Sequence, residues 1–146
     1  MTARSELFSQ LEQSVTRLLD AIDGLPDPQA AVYDGWSAKD VLGHLTFWHE
    51  SFARNTRDLS LGVKPHPLKG RLMDLNQQGV VEMRAFSVEE VKARLRAAQD
   101  LIREHILNPQ LGMIPYRRGS RDYSPEEHLQ VVTDHIEKHV RDLSRR

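Results

Sequence analysis

The feature that most constrains the fold is the spacing of the apolar residues, which follows a helical period through most of the chain. In the first segment, predicted as a helix over residues 5–23, they return every three or four positions and so line one side. They are Phe8, Leu11, Val15, Leu18, Leu19 and Ile22. No segment sustains the apolar and polar alternation of a half-buried strand. The pattern therefore predicts an all-α fold.

Three further helices have starts that the sequence marks clearly. Each begins with a serine followed three positions later by an acidic residue, the capping box in which two side chains satisfy free backbone N–H groups. The pairs are Ser37 with Asp40, Ser87 with Glu90, and Ser124 with Glu127, and Pro125 takes the favoured first position of the last helix. These helices are predicted to run to about residue 59, to about residue 106 and to near the chain terminus.

A weaker helical segment is predicted over residues 72–84, where Gly79 lowers the helical propensity. It follows a predicted loop over residues 60–70, which contains two prolines. Four main amphipathic helices and one extra short helix predict an up-down four-helix bundle. The length of 146 residues predicts that residues 1–146 form a single domain. In such bundles, metal and ligand sites lie between facing helices.

Charge and cysteine content narrow the functional classes. A net charge of −1 and a pI near 6.7 show no basic footprint for nucleic acid. The N-terminus has no apolar signal core, and no apolar run approaches the roughly 18 residues of a membrane span, so we expect a cytoplasmic protein without a membrane partner. The chain has no cysteine, so any bound metal must be held by histidines and carboxylates.

Two histidines four residues apart, His135 and His139, lie in the predicted last helix. Residues at this spacing leave the same face of a helix, so both imidazoles can bind one metal ion. Both border the apolar stripe of the helix. The pair does not form the His-Glu-x-x-His motif of metalloproteases, because Glu137 follows His135 by two positions and points away. Two structural histidines, bonded to neighbouring groups, are the alternative interpretation.

The third candidate ligand is His44, which falls on the apolar face of the predicted second helix together with Trp48 and Phe52. A single histidine there is more often a structural core residue. Three buried rings without a common partner would cost about 1 to 3 kcal/mol for each unsatisfied group, and a shared ion removes that cost. His128 lies seven residues before His135, too far to share the ion, and is predicted to line a pocket mouth. The other histidines, including His49, are interpreted as structural or surface residues.

With these residues placed, the chain resembles the DinB-like superfamily of four-helix bundles. The resemblance rests on the segment Gly35-Trp36-Ser37-Ala38-Lys39-Asp40-Val41-Leu42-Gly43-His44-Leu45 followed by Trp48, and on the final His-x-x-x-His helix. The last helix is most similar to the branch that contains the DfsB and ClbS proteins, although Ile136 stands where that branch has a tyrosine.

The resemblance implies a divalent metal, such as Zn, Ni, Fe or Mn, held by His44, His135 and His139. Members of the superfamily include S-transferases and isomerases that use an external low-molecular-weight thiol, and ClbS-type members that hydrolyse a genotoxin. It thus implies a detoxification-type thiol transferase or hydrolase acting on a small molecule. Trp48, Phe52 and His128 are predicted to form the substrate pocket, and Glu50 and Asp134 are candidate bases by proximity alone.

Two other functions are compatible with the sequence. The first is a non-catalytic, metal-free bundle that binds or sequesters a ligand and whose histidines are structural. The second is an interaction module that acts as a homodimer through exposed edges of the first or third helix.

Overall fold

The computed structural model describes residues 2–145, and within that range the chain forms five helices and two short hairpins. The helices are α1 (Ala3–Asp23), α2 (Ala38–Ser60), α3 (Leu72–Met83), α4 (Val88–His105) and α5 (Pro125–Leu143). The antiparallel hairpins pair β1 (Ala31–Tyr33) with β2 (Trp36–Ser37), and β3 (Ile114–Pro115) with β4 (Asp122–Tyr123). The predicted all-α bundle with one extra short helix is confirmed. The hairpins, which the sequence analysis did not predict, lie in the connections between helices.

The three predicted capping boxes are present at the starts of α2, α4 and α5. At the start of α2, the Ser37 hydroxyl accepts the Asp40 backbone N–H at 3.1 Å, and the Asp40 carboxylate accepts the Ser37 N–H at 3.0 Å. A serine cap of this kind contributes about 1 kcal/mol to helix stability. The Asp40 carboxylate also accepts two hydrogen bonds from Arg84, which ties the end of α3 to the start of α2.

Each helix runs antiparallel to the helix before it in the chain, and this includes the short α3. α3 lies antiparallel along α2, so α4 starts near the first turn of α2 and runs parallel to it. The order of contacts shows this, because Glu50 bonds Arg94 and, further along both helices, Ser60 bonds His105. α1 and α5 form the other parallel pair. α3 is therefore the crossover that lets two long helices of the bundle run in the same direction.

Two glycines allow α3 to approach α2 closely. A Cβ atom at Gly79 would lie 2.6 Å from Cγ of Phe47, and one at Gly43 would lie 2.7 Å from Cβ of Met83. Such distances are well below the roughly 3.5 to 4.0 Å of a normal carbon contact. Gly79, which the sequence analysis treated only as a weakness of the helix, is thus needed for packing.

The apolar stripes of the helices meet in one buried cluster, to which all five helices contribute residues. Leu11, Leu42, Leu95, Ile102 and Leu129 are fully buried in it. Among residues 2–145, no helix is both long enough and apolar enough to cross a membrane.

Candidate metal centre

The three histidines singled out in the sequence converge between α2 and α5. Nε2 of His135 lies 3.2 Å from Nε2 of His44 and 3.1 Å from Nε2 of His139. One nitrogen from each ring lies within 4.8 Å of the other two. His135 and His139 reach the same point because they are one helical turn apart, whereas His44 comes from the facing helix.

The geometry fits a divalent cation. With metal–nitrogen distances of 2.0 to 2.1 Å, two ligands of a tetrahedral site lie about 3.3 Å apart, close to the two separations observed. Without an ion the arrangement is poorly satisfied, because Nε2 of His135 carries at most one proton and can serve only one of its two contacts. A cation satisfies all three nitrogens together.

A hydrogen-bonded chain fixes the tautomer of His139. The Asp142 carboxylate can only accept, so the Tyr33 hydroxyl donates to it. The Tyr33 oxygen lies 2.9 Å from Nδ1 of His139 and must therefore accept the Nδ1–H. Nε2 of His139 is consequently left with its lone pair directed at the other two histidines. Partners of this kind orient metal ligands and raise their basicity.

Burial keeps the cluster uncharged at neutral pH. Burial, together with a smaller contribution from neighbouring imidazoles, lowers the pKa of His44 to about 3 and that of His139 to about 4. The pKa of His135 is lowered by burial as well, and to a lesser degree by Lys138. Neutral imidazole is the form that binds a metal. Nδ1 of His44 is buried and has no hydrogen-bond partner among residues 2–145.

A surface cleft of about 430 Å³, called here the outer cleft, opens onto the cluster. Its walls include Trp36 of β2, Trp48 of α2 and Tyr116 of the loop between β3 and β4. Lys138 of α5 and Asp34 of the first hairpin also line it. A molecule from solvent can therefore reach the three histidines past aromatic walls.

A second space, the inner cavity, lies deeper between α2 and α5 and has a volume of about 110 Å³. All three residues predicted to form the substrate pocket line it: Trp48, Phe52 and His128. The His128 ring stacks on Phe52 with a centroid separation of 4.0 Å. Its exposed fraction is 2 %, so His128 lies inside the cavity. The predicted position at a pocket mouth is therefore wrong. Trp48 borders both spaces.

The structure does not support either carboxylate proposed as a base. Glu50 forms two hydrogen bonds with Arg94, at 2.8 and 2.9 Å, on the side of α2 that faces α4. Asp134 is exposed and accepts a hydrogen bond from Gln130 on its own helix. Neither residue lines the outer cleft or the inner cavity. Sequence distance from a candidate ligand was a poor guide because adjacent helical positions point in different directions.

Sequence reasoning missed three residues of the site. Tyr33 reaches His139 because the first hairpin folds over the end of α5, and the Asp34-Gly35 pair at its turn was a hairpin signal, with Gly35 at φ +79°. His49, interpreted as structural or surface, is fully buried and lines the inner cavity. Tyr116 stacks on Trp48 at 5.0 Å between centroids, and no local pattern in the sequence indicated it.

Comparisons with known proteins place this geometry in context. A family model described as the DinB superfamily matches residues 10–143. A crystal structure of a mycothiol-dependent maleylpyruvate isomerase superposes with a TM-score of 0.76 at 10 % sequence identity. A second structure of that enzyme, with one histidine replaced by alanine, gives the same TM-score at 9 % identity. At these identities the likeness shows a shared fold only.

The superposition covers 98 % of this chain and 61 % of the isomerase chain, so the chain spans about three fifths of that enzyme's length. No curated protein sequence matches the chain significantly.

Proposed function

Because the chain belongs to the DinB superfamily, we propose that His44, His135 and His139 hold a divalent metal ion in a small-molecule enzyme of the detoxification type. The enzyme either adds an external thiol to an electrophilic substrate or hydrolyses that substrate. The observation that carries the proposal is the convergence of three Nε2 atoms at the base of an open cleft. Membership of the narrower DfsB and ClbS branch stays a prediction.

A bound cation would supply Lewis acidity and favour the ionised form of a thiol or water molecule. The chain's own residues position and orient the reactants. Tyr33 and Asp142 hold His139 in the tautomer that leaves Nε2 free, and Trp36 and Trp48 form aromatic walls around the base of the cleft. Lys138 places a positive charge in the outer cleft, where it can pair with an anionic group of a reactant, and Asp34 places a negative charge there.

The thiol must come from outside the chain, because the sequence has no cysteine. The structural likeness to an enzyme described as mycothiol-dependent supports a thiol as co-substrate. Its isomerase activity is not carried over, because this chain spans about three fifths of that enzyme and shares 10 % of its sequence. Thiol transfer and hydrolysis are therefore both retained as candidate reactions, and the turnover assay below discriminates between them.

Metal content tests the first half of the proposal. Protein purified without a histidine tag, loaded with zinc or nickel and analysed by plasma mass spectrometry, is expected to hold one equivalent. Replacing His44, His135 or His139 by alanine should abolish that equivalent and leave the helical content unchanged, because the apolar core supplies most of the stability. His105→Ala is the matched control, since His105 bonds Ser60 away from the cleft.

A triple-alanine variant that still binds one equivalent with wild-type affinity would refute the three-histidine site. A wild-type protein that binds no divalent metal would instead favour the metal-free binding bundle. We also predict that His128→Ala retains the metal and changes the affinity for substrate, since His128 lines the inner cavity and is absent from the metal cluster.

Turnover tests the second half. Metal-loaded protein is incubated with glutathione, mycothiol or bacillithiol and a panel of epoxides and haloaromatics. Conjugation that requires both the metal and His44 would support thiol transfer. Metal-dependent consumption of the electrophile in water, with none of the thiols used, would assign hydrolysis.

A homodimer is a further prediction, and α3 offers apolar surface for it. Met73 and Val81 have exposed fractions of 83 % and 52 %, and a second subunit could cover them. Light scattering at several protein concentrations measures the mass directly. A monomer at every concentration would remove the dimeric interaction module from consideration.

A further inference from the structure

The inner cavity shares a wall with the metal centre. His135, Trp48 and Tyr116 border both the inner cavity and the outer cleft. A substrate group bound in the inner cavity would therefore lie next to the metal centre. The volume of about 110 Å³ is somewhat smaller than the roughly 150 Å³ of an apolar cavity that admits benzene, so one small ring is the largest group expected there.

The shape of the cavity favours a planar group. Two stacked aromatic pairs form much of its wall, Phe52 on His128 and Trp48 on Tyr116, with interplanar angles of 4° and 3°. Parallel rings leave flat surfaces against which a planar molecule packs well. The aliphatic side chain of Ile136 closes another side.

His49 presents a hydrogen-bond acceptor, and its tautomer follows from its neighbours. The amide nitrogen of Gln99 donates to the Glu12 carboxylate, so the Gln99 carbonyl oxygen is the atom that faces His49. Nε2 of His49 lies 2.7 Å from that oxygen and must carry the proton. Burial lowers the pKa of His49 to about 4, so the ring is neutral and Nδ1 keeps its lone pair.

His128 supplies a second polar group without a partner. Nδ1 of His128 is buried and has no hydrogen-bond partner among residues 2–145, although the ring is 2 % exposed. A buried polar nitrogen left in this state costs about 1 to 3 kcal/mol. His128 is also neutral, because burial lowers its pKa to about 4. A neutral imidazole provides one N–H and one lone pair.

Charged groups are excluded from this space. None of the side chains that line the inner cavity belongs to Asp, Glu, Lys or Arg. An anion or cation placed there would lose its hydration without gaining an opposite charge, at a cost of several kcal/mol. The outer cleft, by contrast, includes Lys138 and Asp34.

We propose that the inner cavity is a subsite for an uncharged, planar, hydroxyl-bearing group of the substrate, of the phenol or enol type. The hydroxyl donates to Nδ1 of His49 and its oxygen accepts from His128, while the ring packs between the aromatic pairs. This inference rests on the proposed function, because the bound group belongs to the substrate of the proposed enzyme. The binding itself requires no metal.

The test uses metal-free protein, so that its outcome is independent of whether the metal site works. Phenol, toluene and benzoate are titrated into isotope-labelled protein at pH 7.5, and amide chemical shifts give both the affinity and the location. Phenol is expected to bind about 30-fold more tightly than toluene, the gain that two net hydrogen bonds of about 1 kcal/mol each provide, and to shift Ser51 and Asn55 on the cavity wall. Benzoate is expected not to bind at this site.

Two variants and a control sharpen the result. His128→Phe keeps a ring stacked on Phe52 and removes the nitrogens, so phenol affinity should fall about fivefold while toluene affinity is unchanged. Ser51→Met fills the cavity and should abolish binding of both. Should Ser51→Met fail to fold, Val131→Phe replaces it, because Val131 is a lining residue with an exposed fraction of 38 % and tolerates a larger side chain. His105→Phe, outside the cavity, should change nothing.

Equal affinities for phenol and toluene in the wild type, or no binding of either, would overturn the proposal. So would shifts confined to Trp36 and His139 in the outer cleft, or an unchanged phenol affinity in His128→Phe. A negative result of any of these kinds leaves the measured metal stoichiometry as it stands, so failure of the subsite is separable from failure of the metal centre.

Discussion

Replacing Tyr33 by phenylalanine is predicted to weaken metal binding although Tyr33 is not a ligand. The change removes one oxygen atom, which accepts the Nδ1–H of His139 and donates to Asp142. The phenylalanine ring can keep the edge contact with the His139 ring, whose centroid lies 5.7 Å away. The perturbation is therefore confined to the hydrogen bonds that orient one metal ligand.

The magnitude follows from the burial of the group left unpaired. An N–H that loses its acceptor in a buried position costs about 1 to 3 kcal/mol. The metal-free variant avoids this cost by carrying the proton on Nε2 of His139, beside His135, and metal binding must then reverse that change. His139 is 6 % exposed, yet Tyr33 lines the open outer cleft, from which water can replace part of the lost bond. A cost of about 1.5 kcal/mol raises the metal Kd about tenfold, near the lower end of the 10- to 100-fold typical of such partners.

The assay is a competition titration of the metal-free protein with zinc against a chelating indicator at pH 7.5. Tyr123→Phe is the matched control, because Tyr123 contacts His128 and lies outside the metal cluster. Asp142→Asn should have a smaller effect than Tyr33→Phe, since an amide oxygen can still accept from Tyr33. Wild-type zinc affinity in Tyr33→Phe, with folding intact, would refute the assignment of the His139 tautomer.

Two further predictions concern stability. Gly79→Ala should lower the free energy of unfolding by about 1 to 2 kcal/mol in urea denaturation, because the strain against Phe47 outweighs the gain in helix propensity of about 1 kcal/mol. Gly112→Ala is the control and should not lower it, since a Cβ at Gly112 would meet nothing within 4 Å. A stabilised Gly79→Ala variant would contradict the close packing of α3 on α2. The metal-free protein should lose stability as pH falls from about 6.5 towards 4, because the pKa of His49 is lowered to about 4 by burial and the unfolded chain then binds more protons. For His49 alone, the loss in free energy of unfolding at pH 5 is about 2 kcal/mol. The free energy of unfolding of His49→Gln should therefore differ less between pH 7.5 and pH 5 than that of the wild type. An equal difference would count against burial of His49 in the neutral form.

Features that depend on short-range geometry could be predicted from the sequence. The capping boxes at Ser37, Ser87 and Ser124 located three helix starts, because each box links residues only three positions apart. The spacing of His135 and His139 likewise placed both on one face, since a helical turn spans nearly four residues. Membership of the bundle and the candidate ligand set followed from such local patterns together with the family resemblance.

Contacts between residues far apart in the chain became visible only in the packed fold. Tyr33 orients His139 across 106 positions of the chain, and Gln99 fixes the tautomer of His49 across 50 positions. Nothing in the local sequence encodes such contacts, because they follow from where loops and helices meet after packing. The same reason explains why α2 and α4 run parallel, why Glu50 faces Arg94 instead of the cleft, and why an uncharged cavity lies behind the metal centre.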